Sequence, residues 1–287
     1  MLIRTHMFHR VTIVGVGLIG GSLGLAIKKN NLAREVVGLS HKHSSLTTAI
    51  KNNAIDVALT DQAKALQNAE LIILATPVST IISLLPTIGK CIRRGAFVTD
   101  VGSTKVEIVD AVQKYLPAPF FYVGSHPLAG SEKRGAEFAR ADLFENTTCI
   151  MTPIENTNQV VKEKVKHFWT KIGAQVKFMT PEEHDEILAY VSHLPHILAY
   201  SLMETIPSRS LEYAAQGYKD TTRIASSHPP MWHDICMSNS HKLLKSLDDL
   251  VKNLSLVRKA IGTKDHKTLI DFFTKAKEKR DALQPKP

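Results

Sequence analysis

Between Val11 and about Thr152, short apolar runs alternate with stretches whose apolar positions recur every three or four residues. The runs Arg10–Val14, Glu35–Leu39, Leu71–Ala75, Ala96–Val101, Phe120–Ser125 and Thr148–Met151 predict strands, several of them almost continuously apolar. Strands of that kind have helices over both faces. Alternating with helices they build a doubly wound parallel sheet, so the expected fold class is α/β of the Rossmann type. After Pro153 the pattern changes. A helix over 158–171 and a strand over 175–179 lead into sequence that is almost wholly helical. Thr180-Pro181-Glu182-Glu183 reads as a helix start, with proline in the first turn and a capping box between Thr180 and Glu183. Ile187, Leu188, Val191, Leu194, Leu198 and Leu202 keep helical spacing, and Pro195 should kink that helix. Further helices are expected over 231–261 and 264–282. Two domains follow: a sheet domain over residues 1–153 and an all-helical domain over 154–287. The helices have wide apolar faces, which predict a homodimer, with a monomeric bundle as the alternative.

Composition narrows the class. The 287 residues are 44% apolar and 22% charged, as in a soluble globular protein. The apolar run from Val11 to Ile27 is too short for a comfortable membrane span, is interrupted by five glycines and has no cleavage site after it. Neither a signal peptide nor a membrane protein is expected. The residues before Phe8 read as a short disordered leader. Cys91, Cys149 and Cys236 lie far apart with no metal-like spacing, so no metal site is expected and reduced thiols point to the cytoplasm. The formal charge of +9 is concentrated in the last third, spread along helices without interleaved aromatics. That is a solvated helix face rather than a nucleic-acid surface.

Gly15-Val16-Gly17-Leu18-Ile19-Gly20 lies between the first strand and the first helix. Its glycines allow a tight turn and close backbone approach, and the helix N-terminus receives a pyrophosphate. Alone this signature is weak; between a strand and an amphipathic helix it is strong evidence for a dinucleotide site. An NAD site usually has an acid about 20 residues further on. Here Ser40 stands there, followed by His41 and Lys42, which suits the 2′-phosphate of NADP. The other reading is an NAD enzyme that tolerates these residues in an exposed loop. Thr76-Pro77 ends one strand and should pack near a ribose. Ser103 follows the strand ending at Val101 and should lie near the nicotinamide, although serine at a strand end is often a simple turn residue.

His126 follows the apolar run ending at Val123, where a sixth strand should end. Ligands of open α/β sheets bind beyond those carboxyl ends. A histidine there titrates near working pH and suits proton abstraction beside a hydride acceptor. Asp185, Ser192 and His196 share one face of the helix that begins at Thr180. Lys219 and Arg223 are one turn apart if helical, and arginine is the better fork for a carboxylate. Trp232 follows, with a core tryptophan as the plainer reading.

Together GVGLIGGS, LATPV, DVGSTK, GSHPLAGSEKRG, HDEILAYVSHLPH, GYKDTTRIAS and MW resemble the prephenate/arogenate (cyclohexadienyl) dehydrogenase family, the TyrA enzymes of tyrosine biosynthesis. The resemblance runs from Val11 into the C-terminal helices in the family's order. It implies oxidative decarboxylation of prephenate to 4-hydroxyphenylpyruvate, with hydride passing to NAD or NADP. It further implies that His126 accepts the C4 hydroxyl proton, Ser103 aligns that hydroxyl, and Arg223 binds the ring carboxylate. His196, Lys219 and Trp232 are then expected around the substrate side chain. Asp185 and Glu132 are expected to pair with Arg223 or gate entry, unless they are plain surface carboxylates. The sequence departs from the common NAD pattern at Ser40, where that pattern has Asp. Neither a fused chorismate mutase nor a C-terminal ACT-type domain is expected.

Three alternatives remain. The enzyme could use arogenate, or both substrates. A β-hydroxyacid dehydrogenase would share the architecture but leaves HPLAGSE without a role. A non-catalytic NAD(P)-binding regulator would keep the glycine loop without needing His126, Ser103 and Arg223.

Overall fold

Alternating apolar runs at the N-terminus become β1 (Phe8–Val14), β2 (Ala33–Leu39), β3 (Val57–Leu59), β4 (Leu71–Leu74), β5 (Phe97–Asp100) and β6 (Phe121–Tyr122). In this computed structural model, which describes residues 6–116, 121–131 and 133–283, they form one parallel sheet in the order β3-β2-β1-β4-β5-β6. That order reverses between β1 and β4, the kind of switch point at which open α/β sheets bind their ligands. The intervening helices are α1 (Leu18–Lys29), α2 (His43–Lys51), α3 (Gln62–Leu66), α4 (Val78–Cys91) and α5 (Val106–Tyr115). Apolar side chains are buried on both sides of the sheet, including Val11, Ile13, Leu71 and Ile73 in one cluster and Val14, Val37, Ile72 and Leu74 in another. This is why those strands carry almost no polar residues.

Two strand expectations are corrected. The run 120–125 is not one strand; Phe120 lies outside the described residues, and the rest divides into β6 and β7 (Gly124–Pro127). β7 leaves the parallel sheet to pair antiparallel with β8 (Thr148–Thr152), which pairs in parallel with β9 (Gln175–Phe178). His126 therefore lies within a strand of a second, three-stranded sheet, not beyond the end of a sixth strand. A peptide pivot at Val123 turns the chain from one sheet to the other, and its N–H still bonds the Val98 carbonyl of the first. The short edge strand β3 has too few residues for an alternation signal.

The connection α6 (Gln159–Lys171) buries Val161, Val165, Phe168 and Trp169 and carries the chain from β8 to β9. The helix starting at Thr180 closes its capping box as expected: Thr180 Oγ1 accepts from the Glu183 N–H, and Glu183 accepts from the Thr180 N–H. It runs as α7 (Pro181–Leu188), a π turn over Ala189–His193 and α8 (Leu194–Thr205). The π turn is the form taken by the kink expected at Pro195, whose missing N–H and bulky ring cannot continue the helical bonding of the previous turn. Next come α9 (Gln216–Thr222), a 3-10 turn over Arg223–Ser226 and α10 (Pro229–Ser238). The helix expected over 231–261 is broken at Asn239, whose backbone leaves the helical region at φ −125°. These elements belong to a compact unit spanning residues 1–239.

A second unit, residues 240–287, consists of α11 (Ser240–Gly262) packed on α12 (His266–Asp281). Leu244, Val251, Leu254, Ile261, Ile270 and Phe273 are exposed on this pair. No helix among the described residues is long and apolar enough to cross a membrane.

Candidate active site

The first half of the site is made of backbone. β1 ends at Val14, and Gly15 turns the chain with φ +96°, a conformation closed to most side chains. A Cβ on Gly15 would lie 2.7 Å from both the Ala75 carbonyl oxygen and Thr76 Cγ2. On Gly20 it would lie 1.9 Å from the Gly15 carbonyl oxygen, so α1 can approach its own turn only through glycine. Gly17 caps α1 without a side-chain bond, and no acid occupies the first turn. The N–H groups of Leu18, Ile19 and Gly20 are thus left for an anion, and the space beside Gly17 is open. Thr76 contributes a buried hydroxyl with no partner among the described residues. These features fit a dinucleotide.

At the end of β2, the Ser40 hydroxyl accepts the Lys42 N–H at 3.1 Å, while His41 and Lys42 are exposed. Burial, and then the charges of Arg134 and Lys42, lower the His228 imidazole, which gathers three basic groups near this edge. Pro77 caps α4 without a side-chain bond. The Ser79 N–H in its first turn is instead accepted by Asp234 from α10, at 3.1 and 3.3 Å.

The second half is made of side chains. His126 on β7 has its Nδ1 2.8 Å from Nε2 of His184, and Nδ1 of His184 lies 2.7 Å from Oδ1 of Asp185. Asp185 is buried and accepts the backbone N–H groups of Lys105 and Val106 at 2.8 and 2.9 Å. The expected pairing of Asp185 with Arg223 is not what the geometry provides; its carboxylate points at the start of α5 instead. Deeper still, fully buried Lys105 pairs with Asp100 and donates to the Ser125 carbonyl at 2.9 Å. Asp100 also accepts from the Tyr122 hydroxyl and the Gly102 N–H, both at 2.7 Å.

This setting controls protonation. Burial, then the neighbouring His184, Lys105 and His193, push the His126 imidazole well below its usual range. Burial also lowers His184, opposed by its bond to Asp185. His193, buried beside Asn239, is pushed down to about 4, chiefly by burial. All three imidazoles are therefore neutral at pH 7.

Beyond His126 lies a stacked pair. The His196 ring lies over Trp232 with centroids 3.5 Å apart and planes 20° apart. His196 Nδ1 donates to the Ser192 carbonyl at 2.9 Å, which leaves Nε2 as an acceptor. Trp232 is only 8% exposed, yet its indole N–H has no partner among the described residues. Burial lowers His196, and the nearby Arg223 charge lowers it further. Arg223 and Lys219 are both exposed at the end of α9, where a carboxylate could reach them.

The structure thus brings together His196, Trp232 and Arg223, and joins His126 to Asp185 through His184. Between Asp185 and His196 the helix carries the π turn over Ala189–His193, which the plain helical spacing did not include. Ser103 lies in the turn between β5 and α5, partly exposed, and Glu132 lies outside the described residues, as do the first five residues of the expected leader. Sequence reading missed His184, His193, Lys105, Asp100, Tyr122, Asn239 and Asp234 as site residues. A usable signal was present for three: acid and lysine five residues apart at an apolar strand end, and adjacent His184 and Asp185.

Residues 23–178 match the nucleotide-binding domain of prephenate dehydrogenase, and residues 180–275 match its dimerization domain. Prephenate dehydrogenase of Bacillus subtilis is 37% identical over 97% of this chain and 77% of its own length. Cyclohexadienyl dehydrogenase of Zymomonas mobilis is 32% identical over 97% of each chain. Among solved structures, prephenate dehydrogenase from A. aeolicus in complex with hydroxyphenyl propionate and NAD+ superposes with a TM-score of 0.89. It is 31% identical, covering 96% of this chain and 98% of that one.

Proposed function

The chain belongs to the prephenate dehydrogenase family of NAD(P)-dependent oxidoreductases, and from that premise we propose that it converts prephenate to 4-hydroxyphenylpyruvate and CO2. The observation that carries this reading is His126, partly exposed, with its pKa pushed well down and its Nδ1 engaged by His184. His126 takes the proton of the C4 hydroxyl as hydride leaves C4. The coenzyme, when bound, accepts that hydride. The ring C–CO2 bond breaks, its electron pair completes the aromatic ring and leaves a phenolate at C4, and His126 returns its proton to that oxygen to give the phenol. Ser103 holds the reacting hydroxyl, and Arg223 binds the ring carboxylate, with Lys219 beside it. His196 and Trp232 form the wall against the substrate side chain. Activity on arogenate as well is a second reading, favoured by the Zymomonas mobilis relative.

NADP is the preferred coenzyme in this proposal. Ser40, His41 and Lys42 offer a hydroxyl and cations at the end of β2, with no carboxylate to oppose a 2′-phosphate. The exposed apolar residues of α11 and α12 support a homodimer through the helical region, and the free cysteines support a cytoplasmic setting.

Absorbance at 340 nm, with prephenate and either NAD+ or NADP+, tests both parts. A faster rise with NADP+ is expected. A faster rise with NAD+ removes the coenzyme preference, and no rise with either removes the reaction.

A further inference from the structure

We propose that His184 is a positioning residue that fixes the proton of His126 on Nδ1, and that Asp185 fixes His184 in turn. This rests on His126 being the base of the reaction proposed above. The argument is one of donors and acceptors. Asp185 accepts two backbone N–H groups from the start of α5, so its carboxylate is held still and presents an acceptor to His184. His184 Nδ1, 2.7 Å away, must then carry a hydrogen. A neutral imidazole has one N–H, so His184 Nε2 has only a lone pair to offer. His126 Nδ1, 2.8 Å from that lone pair, must be the donor. The remaining nitrogen of His126, Nε2, is left bare.

The opposite arrangement would protonate Nε2 and leave the base unable to accept anything. The Asp100–Lys105 pair fixes the start of α5, and with it the backbone donors that hold Asp185. The Asn239 amide donates to the Asp185 carbonyl at 2.8 Å and anchors α7 from the end of α10. The groups facing His184 are Asp185, Lys105, Asp100 and His126. The Asp100 carboxylate is engaged by Lys105, the Tyr122 hydroxyl and the Gly102 N–H, and has no hydrogen bond to His184 that would reverse the order. The same line serves after proton transfer. An imidazolium at His126 keeps its Nδ1–H bonded to His184, and Asp185 adds a negative charge one ring away, which relieves part of the burial cost of the new cation.

Nitrogen-15 spectra of histidine-labelled enzyme, recorded without substrate, read the tautomer directly. His126 in the Nδ1–H form is expected; the Nε2–H form overturns the proposal even if the enzyme turns prephenate over. The Nδ1–H form in a protein that does not oxidise prephenate would instead overturn the reaction while leaving the tautomer assignment intact. Two variants then test the consequence. His184→Leu should lower kcat by about 100-fold with KM nearly unchanged, the scale of one misplaced general base. His184→Gln, whose side-chain oxygen can accept where Nε2 stood, should recover at least about tenfold of that loss. Equal rates for the two variants, or a loss confined to KM, would contradict a positioning role. If His184→Leu does not fold, the wild-type spectrum and His184→Gln still decide.

Discussion

The glycine turn and the histidine line belong to the same compact unit but are built of different material. Around Gly15, Gly17 and Gly20 the binding groups are peptide N–H donors, and the sequence contributes mainly by withholding side chains. Around His126 the groups are side chains, and each depends on where its neighbour keeps a proton. The first kind of site is sensitive to volume and indifferent to pH. The second is sensitive to protonation and tolerates changes of shape that preserve donors and acceptors.

The largest separation of the two should come from His126→Ala. Turnover should fall by about two to four orders of magnitude while the affinity for coenzyme stays close to wild type. Stopped-flow rates and a fluorescence titration with NADPH measure the two effects on one preparation. Near-native turnover would remove His126 from the chemistry.

Gly20→Ala is the converse. A methyl group 1.9 Å from the Gly15 carbonyl oxygen forces backbone apart, so stability should fall by about 1–3 kcal/mol and coenzyme binding should weaken, both visible in melting curves with and without NADPH. An unchanged melting temperature and affinity would mean the turn relaxes freely.

The smallest test uses pH alone. His193 is held neutral, with its pKa lowered to about 4, whereas unfolded chain titrates near 6.5. Between those values the unfolded state binds the extra proton, so stability is complete above about pH 6.5 and declines as pH falls toward 4. Urea denaturation at pH 7 and pH 5 should show a loss on the order of 2 kcal/mol at the lower value, and His193→Asn should reduce it. A loss of equal size in the variant would assign the effect to the other buried histidines.

The same contrast explains what could be read from sequence. The glycine turn was legible because spacing, strand and helix are all local. So were β1, β2, β4 and β5, whose continuous apolar runs report burial on two faces, and the Thr180 cap, which involves only its own first turn. His126 was legible as a residue but not in its setting, because nothing near it announces that the chain leaves one sheet for another at Val123. The Asp185–His184–His126 line joins α7 to β7 across 58 residues, and Lys105 meets Asp185 across 80. Partnerships of that reach leave no periodic mark. The π turn was half visible: Pro195 gave its place, but not the change of helical form over Ala189–His193.

The buried pair of Lys105 and Asp100 has a consequence for how such a chain can drift. Removing either member alone leaves an uncompensated charge in the interior, at a cost of about 3–5 kcal/mol, comparable with much of a domain's stability. Replacing both with well-packed apolar residues can be nearly neutral for folding. The two positions are thus separated from an apolar alternative by a valley that single substitutions do not cross. A lineage carrying the pair is held to it by its own intermediates, whatever catalysis asks of it.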